Sequence, residues 1–251
     1  EIDTHSILYD NRVEKYFWDL RIFTIQLLQN RNNVLADRLI ILGMFYLDLE
    51  ESINNIQVDS IPHLISAYSN SIDSGELNQV LSEIPVLSNI QLEFLKLLMD
   101  LLVPKTSKRY TKCYNQFLEG IDYGKEKPIE EIMKSYNDAF EKYYYPFMVD
   151  HKYMLENYLV NYVFMNIFPI GKYPSVYEEY IMLIIHYALI KLQLIGLAGF
   201  HKGLNYDLIV EFIQSFAKNF EHNQQNLDRL LKVIQGIGYT EMSHMMILIK
   251  N

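Results

Sequence analysis

The sequence predicts an all-α protein, a multi-helix bundle of about ten to twelve helices around a buried apolar central helix. Apolar residues recur at spacings of three and four along most of the chain, and strand-like alternation is scarce. Glycine and proline are few, at 10 and 7, and most sit between the periodic segments. Half of the 251 residues are apolar, enough to bury a large core.

In order, a first helix is expected over 10–30 and a second over 34–54, with Asn32 and Asn33 between them as a break. The two should form an antiparallel hairpin. A loop at 56–62 precedes short helices near 62–74 and 76–83, parted by Gly75. Ser88 and Gln91 have capping-box spacing ahead of QLEFLKLLMDLLV, which Pro104 ends. A helix over 108–120 follows, and the polar, glycine-bearing stretch 122–128 is the best candidate boundary. That gives helical subdomains 1–124 and 125–251, or one continuous domain.

Pro128 suits the first turn of IEEIMKSYNDAFEKYYY, and Pro146 should kink or restart that helix. The next helix runs to Phe168, closed by Pro169 and Gly171. Ser175 and Glu178 make a second capping-box match, opening a long apolar helix expected to stop at a left-handed Gly203. Asn205 caps a helix to about 222, and helices over 226–235 and 241–249 finish the chain.

Residues 180–200 are long enough to cross a bilayer. A mid-helix lysine costs about 2.5–3.5 kcal/mol on insertion scales, and His186 and Gln193 add to that. A central buried helix is the better account. Along it Glu179, His186, Gln193 and Phe200 recur every seven residues in one weakly polar stripe, and Lys191 lies about 140° from His186. His186 and Lys191 therefore cannot act as a pair from one face. Desolvation would lower the pKa of Lys191.

Composition excludes several functions. A net charge of -9 argues against a broad grip on nucleic acid. Cys113 is the only cysteine, so this chain has no internal disulfide and no cysteine-built metal site, which suits a reducing compartment. The seven histidines, at 5, 63, 151, 186, 201, 222 and 244, include no HExxH and no helical pair, so no metal site is expected. Gly236 and Gly238 flank a turn, since no strand precedes them. Lys105, Lys108, Arg109 and Lys112 form a basic cluster that either receives an acidic partner or is a solvated helix end. No secretory signal is visible, and the chain, which does not begin with methionine, reads as a piece of something longer.

On a wheel of ENYLVNYVFMNIFP, residues 156–169, Asn157, Asn161, Phe164 and Phe168 share one face, Tyr158, Tyr162 and Met165 the next, and Leu159, Val160, Val163 and Ile167 the third. With no side left for water, Asn161 should bond a neighbouring helix or a ligand.

KYFWDLRIFTIQLLQNR (15–31) and DRLIILGMF (37–45) resemble the middle of the flagellin lysine-N-methylase family. ENYLVNYVFMNIFP (156–169), HYALIKLQLIG (186–196) and MMILIKN (245–251) resemble its C-terminal region, in the same order and at similar spacing. The resemblance implies methyl transfer from S-adenosylmethionine to flagellin lysines in the bacterial cytoplasm. It also implies a cysteine-rich N-terminal segment suited to an iron–sulfur cluster, which this chain lacks; no cluster ligand transfers to Cys113.

Lysine methylation needs a neutral amine, so a site would join an apolar channel for the lysine stem to a proton acceptor. Glu156, Tyr158, Asn161, Tyr162 and His186 are the expected pocket residues; no catalytic residue is assigned. Two alternatives stand beside catalysis: a non-catalytic module that docks flagellin, and a helical ligand-binding domain that forms a homodimer. In either case no membrane insertion is expected.

Overall fold

The computed structural model describes residues 11–101, 108–124, 127–220 and 224–250. His5, Pro104, Lys105 and His222, named above, lie outside them, as do residues 125 and 126 of the 122–128 stretch. Among the described residues there is no strand, and twelve helices longer than a single turn carry the fold, as the sequence pattern predicts.

They are α1 (Phe17–Gln29), α2 (Leu35–Asn54), α3 (Ile61–Ser74), α4 (Asn78–Glu83), α5 (Ser88–Leu101), α6 (Lys108–Gly120), α7 (Ile129–Ala139), α8 (Tyr153–Met165), α9 (Val176–His201), α10 (Tyr206–Phe220), α11 (Gln224–Gly236) and α12 (Met242–Ile249). The chain divides into two compact units that interleave along the sequence. One comprises Glu1–Val86, Tyr153–Ile185 and Glu241–Lys250, the other Leu87–Lys152 and His186–Thr240. The 122–128 stretch falls inside the second.

Local chemistry accounts for most element ends. Gly75 takes a left-handed φ of 73° after α3. Ser175 Oγ accepts the Glu178 amide at 3.1 Å ahead of α9, and Asn205 Oδ1 accepts the Leu208 amide at 2.9 Å ahead of α10. Three expectations need correction. The first helix is broken at Lys15 and Tyr16, leaving a single turn, Asn11–Glu14, before α1. Ser88 is already the first residue of α5, and the Gln91 amide bonds the Leu87 carbonyl, so no capping box forms there. At the end of α9 it is Lys202, with φ 58°, that turns left-handed, and the Gly203 amide then reaches back to Ala198 O at 3.0 Å. That 6→1 closure needs a left-handed residue one position earlier than the glycine suggested. Between α7 and Pro146 the backbone widens into a π turn, Phe140–Tyr144, consistent with a ring that displaces the carbonyl four residues back.

In the first unit α2 packs against α1, α3 and α12, and α1 packs against α8. The first ten residues of α9 also belong to this unit. Tyr180 donates to Leu39 O at 3.1 Å, and the Tyr46 and Thr24 hydroxyls meet at 2.5 Å, all fully buried. In the second unit α6 packs on α10 and α7, and α7 on α5. The rest of α9 runs against α6 so closely that a Cβ on Gly120 would strike the Gly196 carbonyl. Tyr110 of α6 donates to Gln193 Oε1 of α9 at 2.9 Å, which settles the amide that the apolar helix carries.

From Glu179 to Gly199 every residue of α9 is buried. It is long and apolar enough to cross a membrane, yet its most apolar window is wholly covered by protein. The close crossing of α6 and α9 gives a direct test. Gly120→Ala should lower stability by about 1–3 kcal/mol, seen as a lower urea midpoint; an unchanged midpoint would contradict the contact.

Candidate functional site

Four of the five expected pocket residues, Glu156, Tyr158, Asn161 and Tyr162, lie on α8 in the first unit. His186 belongs to the second, where its ring stands edge-on to Phe216 at 6.3 Å.

Glu156 is the best-defined polar group on α8. It is 2% exposed, and its two oxygens are held by two arginines from elsewhere in the unit. Arg31, just past α1, gives Nη2 to Oε1 at 2.8 Å and Nε to both oxygens at 3.2 Å. Arg38 of α2, itself 3% exposed, gives Nη1 to Oε2 at 2.9 Å and also to the Leu28 carbonyl. Burial pushes the carboxyl up, but the hydrogen bonds and charges of Arg31 and Arg38 outweigh it and hold the group below its ordinary range. A carboxylate so engaged is a weak proton acceptor. Its role is to fasten α8 to α1 and α2.

Tyr158 and Tyr162 are buried, as expected. Asn161 is not. The expectation that α8 has no side for water is corrected: Asn157 and Asn161 are exposed, Phe164 is 56% exposed and Met165 76%. The wheel put Asn157, Asn161 and Phe164 together properly, but Met165 is exposed while its expected face-mates Tyr158 and Tyr162 are buried, and Phe168, past the end of α8, is buried; a face bearing a phenylalanine and two amides looks the same in sequence whether it is covered or open.

Beside that face lies the residue that the sequence reading passed over. Arg21 of α1 is 2% exposed, and its Nη2 donates to the Phe164 carbonyl in the last turn of α8 at 2.9 Å. Its guanidinium carbon lies 5.2 Å from the Phe164 ring centre, 5.5 Å from Phe17 and 5.9 Å from Trp18. Nε and Nη1 are buried without a hydrogen-bond partner, and burial pushes the guanidinium below its usual range. A signal was available: Arg21 continues the stripe of Phe17, Thr24 and Leu28, all buried, at spacings of four, three and four. Around it Trp18 is 58% exposed and Ile22 49%. The outer edges of α1 and α8 thus present apolar side chains and amides to solvent over a buried cation.

Two other expectations resolve in the second unit. Burial lowers the Lys191 ammonium to about 7, and the nitrogen sits 5.6 Å from the Tyr187 ring centre. Lys108, Arg109 and Lys112 are exposed, and Arg109 lies 3.6 Å from Glu211. Cys113 is buried, and burial raises its thiol. Among the described residues no cluster of His, Cys, Asp or Glu has the makings of a metal site.

A family model described as the FliB lysine N-methylase C-terminal domain matches residues 21–248. The chain belongs to that family. The match takes in most of the blocks that carried the resemblance, from Arg21 of α1 to Leu248 of α12, and it sets the chain in the context of lysine N-methylation. No curated protein and no solved structure matches it.

The ion pair on α8 is open to test. Glu156→Gln leaves Arg38 buried with its countercharge gone, and it should cost about 3–5 kcal/mol in urea denaturation, with Arg31→Gln milder because that side chain is 69% exposed. Equal, small losses would show that the pair does not hold α8.

Proposed function

We propose that this domain engages the substrate of an enzyme that methylates flagellin lysines with S-adenosylmethionine in the bacterial cytoplasm. The family membership supports lysine methylation, and the observation that carries docking is the open edge of α1 and α8, where Trp18, Ile22, Phe164 and Met165 are exposed together with Asn157 and Asn161. Large apolar side chains kept in water are a cost that a protein partner removes.

A catalytic reading of α8 has less support. The lysine ammonium must lose its proton before its nitrogen can attack a methyl group. Glu156, the carboxylate of α8, is committed to two arginines. The groups expected for the family also fit poorly here. One buried cysteine cannot ligate an iron–sulfur cluster. A polar cleft of about 330 Å³ in the second unit is lined by Glu119, Asp122, Asp138, Lys142, Tyr143 and Lys202. Its Asp122 and Asp138 are already paired with Lys127 and Lys142, so they are poorly placed to hold the hydroxyls of an adenosine sugar. No step is routed through either group.

In the enzyme that carries this domain, Phe164→Ser with Met165→Ser should raise KM for flagellin about tenfold and leave kcat within about twofold. Steady-state kinetics decides it: a fall in kcat at constant KM would place the chemistry, not the docking, on α8.

A further inference from the structure

Arg21 is a buried cation that makes no salt bridge among the described residues. Leaving ionic N–H groups dry and unbonded is costly, and proteins ordinarily satisfy them. Only Nη2 is satisfied, by a carbonyl. Of the three rings around the guanidinium, Trp18 and Phe164 are themselves more than half exposed, so the charge lies one ring's depth below open surface.

We infer that the α1/α8 edge recognises a protein segment carrying a carboxylate flanked by apolar side chains, with Arg21 as the anchor. The apolar side chains cover Trp18, Ile22, Phe164 and Met165, and the carboxylate takes Nε or Nη1 when the two outer rings turn aside. A carboxylate suits this guanidinium because a hydrogen bond from a charged N–H to a charged acceptor is about twice as strong as a neutral one. The pairing forms in a site screened from water by the segment's own apolar side chains, so removing either charge is expensive. This assigns the chemistry of the segment recognised, and it rests on the docking reading above.

Trp18 is the chain's only tryptophan and lies 5.9 Å from the guanidinium, so its fluorescence reports the site directly. The probes are short peptides with a central glutamate between leucines and their glutamine twins, titrated into the whole chain. The glutamate peptide should shift Trp18 emission and bind about thirtyfold tighter than its twin, and Arg21→Met should remove that preference while Arg21→Lys keeps part of it. A circular-dichroism melt checks that each variant is folded. Should Arg21→Met unfold the chain, Phe164→Ala takes its place and is expected to weaken the glutamate peptide.

Equal binding of the two peptides overturns the inference. So does displacement of the glutamate peptide by inorganic phosphate at equal concentration, which would make this an anion site, or a concentration-dependent dimer that buries Trp18 without any peptide. If the glutamate peptide binds as expected but purified flagellin does not, the recognition chemistry stands and the flagellin reading falls.

Discussion

A helix of 26 residues with no polar face constrains everything around it. An α-helix satisfies its own backbone, but each side chain on α9 must still find an apolar neighbour or a partner for its polar atoms. In the first unit Glu179 Oε1 takes the backbone amides of Gly171, Lys172 and Tyr173, although burial still raises its carboxyl, and Tyr180 reaches the Leu39 carbonyl. In the second, Gln193 receives the Tyr110 hydroxyl, His186 meets the edge of Phe216, and Lys191 lies over Tyr187 with its charge weakened by burial. Each unit therefore spends its best apolar surface on its own stretch of α9.

What remains at the outer edges is more mixed. α1 and α8 each show only a weak separation of apolar from polar residues, because apolar side chains sit on both sides of each helix. The inner sides are fixed by packing and by the Glu156 carboxylate between Arg31 and Arg38. The outer sides keep a tryptophan, an isoleucine, a phenylalanine and a methionine in water, over an arginine whose donors are only partly used. Neither feature helps the isolated fold, and the proposed docking accounts for both, since a partner would bring apolar cover and a carboxylate.

The helices were legible in the sequence because period, proline and polar caps act locally. The pattern gave α6 to the residue, α2 and α3 to within one, and the burial of α9. It misjudged the end of α9, where a lysine takes the left-handed turn, and it could not see the interleaved units, which depend on contacts between distant segments. The site was harder to read. Glu156 drew notice as an acid on an apolar helix, but its partners lie more than a hundred residues away, so a structural ion pair and a catalytic acid looked alike. Asn161 was expected to be buried for the same reason that Arg21 was overlooked: a wheel groups residues by face and does not say which face is covered.

The α1/α8 edge is the proposed seat of the substrate protein. Hydrogen–deuterium exchange of the domain with and without flagellin tests it most directly. Flagellin should slow exchange in the peptides covering α1 and the last turns of α8 and leave α6 and α10 unchanged. Protection confined to the second unit, or none with flagellin in excess, would contradict it.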